Sequence, residues 1–163
     1  MCQWPFWLKY RLVTEAILGE PDRLLLGGSC RRFHLRDGQT QWTAQGIREA
    51  GVFSVNVPTA AQVEAVDYCG IVTGRTVDKS AVFATRAGDL GAPLIADCPL
   101  ALECRLHQIL ELPSNYLIVG EITGAWAEEA ILTNGAPDPQ KLSPLFLTMP
   151  DNTYWKLGKP LAK

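Results

Sequence analysis

The chain has 163 residues, enough for one domain with a sizeable core. Hydrophobic residues make up 47% and charged residues 20%, ordinary globular usage that argues against wholesale disorder. A formal net charge of −2 with no long basic block gives no electrostatic case for nucleic acid.

Five cysteines, with no CxxC pair, and two histidines supply a metal site poorly. The simple reading is a set of packed thiols in a reducing cytoplasm. The N-terminus MCQWPFWLKYRLV lacks the uninterrupted apolar core of a secretory signal, and no run approaches the roughly 18 apolar residues of a membrane helix. A soluble, cytoplasmic protein is expected.

In chain order, RRFHLR (31–36) reads as a short strand, with Asp37-Gly38 as a turn dipeptide at its exit. TAQGIREAG (43–51) reads as a helix, with Thr43 at its start and Gly51 closing it. VFSVNV (52–57) alternates with period two and is rich in β-branched residues, a strand that Pro58 stops. Thr59 with Gln62 makes a capping box for a second helix, whose inward stripe is Val63, Val66 and Cys69 or Tyr68.

DYCGIVTGRTVDKS (67–80) is neither a good helix nor a good strand. A turn-rich piece, RAGDLGAPLIADCP, comes after it. LALECRLHQILEL (100–112) alternates Leu102, Cys104 and Leu106 against Glu103, Arg105 and His107, which favours a strand with the latter three on its wet face. A second long β stretch spans 115–132, with Gly120 and Gly124 as bulge or close-approach points. A turn-bearing loop and a partly extended tail complete the chain. Several strands around two short helices imply a mainly β, α+β architecture, and the absence of alternating βαβ units excludes a doubly wound parallel sheet.

The 67–80 stretch admits two readings. It is a plain surface loop, or a cradle for an anion: Gly70 and Gly74 permit close backbone approach, Thr73 and Thr76 offer hydroxyls, and Arg75 and Lys79 supply charge. The spacing is not that of a P-loop. No GxSxG motif or ligand-spaced histidine points to a catalytic or metal centre, and none is assigned. Cys69 is better read as a small packing residue than as a nucleophile, and Trp126, Tyr154 and Trp155 as packing aromatics that could also stack on a planar ligand.

Six segments, VFSVNVP, DYCGIVTGRTVDK, APLIADCPLALEC, NYLIVGEITGAWAEE, NGAPDPQKLSPL and MPDNTYWKLG, fall in the order and spacing of the flavin reductase-like proteins, the flavoredoxin group. The resemblance spans residues 42–158. It implies an FMN-binding split β-barrel over 41–163, a homodimer with non-covalent FMN near the subunit interface. Electrons would be exchanged with NADH, NADPH or a redox protein partner. It also implies that Gly70, Thr73, Gly74 and Lys79 form part of the FMN cradle, that Thr43 lies near the phosphate and Asn56 beside the flavin, and that Trp155 reaches toward the flavin region.

Residues 1–40 do not carry the strand pair with which family members begin, and form an atypical N-terminal segment in which His34 replaces a serine. Thr73 replaces a serine, Ser80 an aromatic residue and Asn115 a histidine. Two functions are therefore weighed: an FMN-dependent redox protein, and a degenerate split barrel without FMN that acts as an interaction module or is inactive.

Overall fold

The computed structural model describes the backbone of residues 32–38 and 42, and backbone with side chains for 43–72, 74 and 76–161. Thr73 and Arg75, two members of the anion loop, lie outside the described residues.

Four antiparallel strands make the main sheet, in the order β1-β6-β5-β2: β1 (Arg32–Gly38), β2 (Val52–Val57), β5 (Leu100–Glu111) and β6 (Asn115–Ala127). Strand β1 runs two residues past the expected exit, with Asp37 and Gly38 paired to Tyr116 and Asn115. It thus joins the sheet although it lies within the segment set apart at 1–40. Among the described residues this sheet does not close on itself. Three two-stranded ladders accompany it: β3 (Thr85–Ala87) with β4 (Pro93–Ile95), β7 (Leu132–Thr133) with β8 (Ala136–Pro137), and β9 (Leu145–Thr148) with β10 (Thr153–Lys156).

Helix α1 (Trp42–Ala50) ends as the sequence predicts. Gly51 takes φ +70°, a left-handed conformation that costs glycine little, and its N–H reaches the Ile47 carbonyl at 2.9 Å. Ala44 and Ile47 then pack with Phe53, Val55, Leu102, Cys104 and Ile118 in one apolar cluster. Helix α2 (Val63–Ile71) follows a 3-10 turn at Ala60–Gln62, where the Gln62 side chain accepts from the Thr59 N–H at 2.9 Å. Val66 and Cys69 face a second cluster with Phe83, Ile95, Cys98 and Leu145. The short helix α3 (Pro139–Leu142) places Leu142 in a third, with Val57, Leu100 and Ile131.

Gly120 is a close-approach point: a Cβ there would lie 2.4 Å from the Phe53 ring. Gly124 sits where the β5–β6 register shifts between Glu103 and Cys104. The expectation for Glu103 is corrected. Its side chain is fully buried, because Leu100 to Cys104 are covered on both faces of the sheet; only from Arg105 onward does the outer face meet water. His107, as expected, is exposed, at a second register shift.

Candidate functional site

Lys79 ties the end of the loop after α2 back to that helix. Asp78 closes a local turn by accepting the Ser80 N–H at 2.9 Å, and the two bonds from Ser80 hold its carboxyl below the ordinary range. Lys79, next along the chain, turns inward instead. It is 5% exposed, and its Nζ donates to the Cys69 carbonyl at 2.8 Å. That carbonyl lies in the last turn of α2, at the negative end of the helix, so a cation is favoured there. Burial raises the Cys69 thiol, partly offset by the Lys79 charge, which fits a packing thiol rather than a nucleophile.

Gly70 has no such internal reason for its identity. A Cβ added there meets nothing within 4 Å, and its φ is not positive. A glycine within a helix costs about 1 kcal/mol relative to alanine, yet no packing or backbone requirement of the described chain calls for it. An open glycine surface one residue from the carbonyl that holds a buried ammonium leaves room for a group to approach closely. Lys79 brings the charge, and Gly70 the open backbone, that a phosphate ester such as that of FMN would use.

The other candidates are distributed as follows. Gly74 belongs to the same loop. Asn56, on β2, is 4% exposed, and its amide holds β2 to the next hairpin: Oδ1 accepts the Ile95 N–H at 2.8 Å and Nδ2 donates to the Ser54 hydroxyl at 2.9 Å. Ser54 in turn donates to the Pro93 carbonyl. Ile95 packs in the same cluster as Cys69, so Asn56 holds the hairpin that packs against α2. Thr43 is buried in the first turn of α1, whose Ala44 and Ile47 pack on β2, β5 and β6 rather than on α2. Trp155, on β10, is 54% exposed and donates from its indole nitrogen to the Thr148 hydroxyl at 3.0 Å.

The adjacent Tyr154 fastens this last hairpin to α2, its hydroxyl donating to Asp67 at 3.1 Å. Burial first, and then the Asp67 carboxylate, raise the phenol. This tie brings the tail next to the helix that carries the loop. Both partners are visible in the sequence, but nothing in their spacing pairs residues 87 positions apart.

Among the described residues no group of three or more His, Cys, Asp or Glu side chains is arranged to hold a metal ion. No helix among them is long and apolar enough to cross a membrane.

Residues 38–146 match the family described as "Flavin reductase like domain". The structure is similar to a flavoredoxin from Methanosarcina acetivorans, with 44% identity, a TM-score of 0.81, and coverage of 85% of this chain and 75% of that one. It is also similar to the flavoredoxin of Desulfovibrio vulgaris (Miyazaki F): 29% identity, a TM-score of 0.75, and coverage of 81% and 73%. An uncharacterized protein from Archaeoglobus fulgidus is 30% identical over 104 residues; the match covers 62% of this chain but only 58% of that protein.

Proposed function

From the premise that this chain belongs to the flavin reductase-like domain family, we propose that it is an FMN-binding redox flavoprotein of the flavoredoxin or flavin reductase kind. The fold it shares with two flavoredoxins supports a flavin-related redox role. The single observation that carries the proposal to FMN is the open surface of Gly70 beside the buried Lys79. A fixed ammonium and an unobstructed backbone are what a phosphate ester needs from a protein.

When bound, FMN supplies the electron or hydride transfer chemistry itself, which accounts for a chain without a recognisable acid–base pair. The chain's part is to bind and orient. Lys79 provides charge at the phosphate, and its bond to the Cys69 carbonyl fixes where that charge sits. Gly70 and Gly74 admit the ligand close to the backbone. Thr73 and Thr43 supply hydroxyls, Asn56 holds the hairpin that packs against α2, and Trp155 covers the flavin region. A homodimer completes the proposal, working in the cytoplasm with NADH, NADPH or a redox protein as electron donor.

The test is to add FMN to the purified chain, desalt, and record the visible spectrum. Retained flavin absorbance in stoichiometric amount is expected. A colourless protein would instead favour the degenerate barrel, an interaction module without cofactor.

A further inference from the structure

A second concave region lies away from the loop. The junction of α1 with β2 and the β3–β4 hairpin enclose an open cleft of about 470 Å³, within the size range of small-ligand sites. Ala50, Val52, Leu90 and Pro93 give it apolar walls, and Thr85 and Arg86 give it polar groups. None of the residues assigned to the FMN cradle lines it.

Three features make this a built cleft. First, the Arg86 guanidinium lies over the Trp126 ring, 5.3 Å from its centroid. Second, Trp126 is itself seated on a glycine: a Cβ at Gly124 would come within 2.6 Å of the indole, so only glycine lets the ring lie there. Third, the hairpin wall is fastened from beneath by Glu103, whose carboxylate accepts the N–H groups of Leu90 at 3.0 Å and Ala92 at 3.1 Å. Gly88 is likewise required, since a Cβ there would lie 2.3 Å from a Glu103 oxygen.

Arg86 therefore stands on an aromatic platform beside an apolar cleft, and among the described residues it has no carboxylate partner. A guanidinium held in this way has lost part of its freedom before a ligand arrives, and its planar fork matches a carboxylate. We propose that this cleft is a second binding site, taking a small carboxylate with an apolar body. Arg86 meets the carboxylate and the walls of Ala50, Val52, Leu90 and Pro93 receive the body. The site does not depend on the FMN reading, with which it shares no residue.

Benzoate is the probe, with benzamide as its neutral counterpart and acetate as the charge without the ring. Equilibrium dialysis on the full chain measures each dissociation constant. Benzoate is expected to bind at least about ten-fold more tightly than either comparator, because benzamide loses the charge-assisted contact and acetate loses the apolar burial of the ring. Arg86→Gln should weaken benzoate by a similar factor, and Ala87→Phe, which fills the cleft from an exposed position, should abolish binding. Both positions are exposed, so neither change threatens folding. Failure of benzoate to bind, equal binding by Arg86→Gln, equal affinity for benzamide, or displacement of benzoate by FMN would each overturn the proposal.

Discussion

At the scale of single residues, the structure is most informative where a polar group or a glycine sits without freedom to change. Glu103 is a carboxylate with no exposure, and backbone N–H groups of the β3–β4 turn satisfy it. Replacing it by leucine would leave those donors in an apolar setting at about 1–3 kcal/mol each. Glu103→Leu should therefore lower the urea midpoint clearly, whereas a change at exposed Glu121 should be nearly silent; equal effects would contradict the burial argument. Gly120→Ala drives a methyl into the Phe53 ring, and overpacking of this kind costs about 1–3 kcal/mol. Thermal unfolding of that variant measures it. Burial also pushes the thiols of Cys98 and Cys104 up to about 12. Below pH 9 these thiols are protonated in both folded and unfolded chains, so their contribution is intact. Between about pH 9 and 12 the unfolded chain releases protons that the folded chain keeps, and stability falls as pH rises. Denaturant midpoints should decline over that window, and less steeply in Cys104→Ala; an unchanged slope would remove Cys104 from the explanation.

At the scale of elements, local chemistry decides how much could be read in advance. Strand β2 was legible to the residue, because alternation, β-branching and Pro58 agree. Helix α1 was legible because Gly51 supplies the left-handed stop that its sequence position suggests. Strand β5 was placed correctly but its faces were not. Period-two alternation assumes one wet face, and the hairpin that covers Glu103 comes from residues 85–95, which read only as turns. That hairpin has no periodic signal since β3 is exposed along its whole length. Its attachment is instead a matter of side chains: Asn56 and Ser54 reach across from the β2 edge to Ile95 and Pro93. These bonds cover a strand edge that would otherwise invite pairing with another chain. Asn56→Leu should release the hairpin, seen as faster amide exchange at Ile95 with less change in β6; uniform acceleration across both would point to global destabilisation instead.

At the scale of the whole molecule, the candidate site was legible as a composition and not as a geometry. The loop's glycines and Lys79 stood out in the sequence, but the inward turn of Lys79 to the end of α2 depends on the fold around Cys69. The clasp of Tyr154 on Asp67, which sets the tail beside that helix, depends on a contact between distant segments. Lys79→Met keeps bulk while removing charge, and should weaken FMN by about 1.5–3 kcal/mol. Because Lys79 also satisfies a helix-terminal carbonyl, its substitution perturbs the chain as well as the ligand site. Gly70 separates the two roles, since a side chain there meets nothing in the described chain. The most direct measurement is thus a titration of FMN fluorescence with the parent chain and with Gly70→Val, alongside the thermal midpoint of each. Quenching by the parent is expected, with FMN affinity lowered at least about ten-fold in the variant and no loss of stability, since valine is a better helix former than the glycine it replaces. Equal FMN affinity in the two proteins, or no quenching by either, would contradict this account.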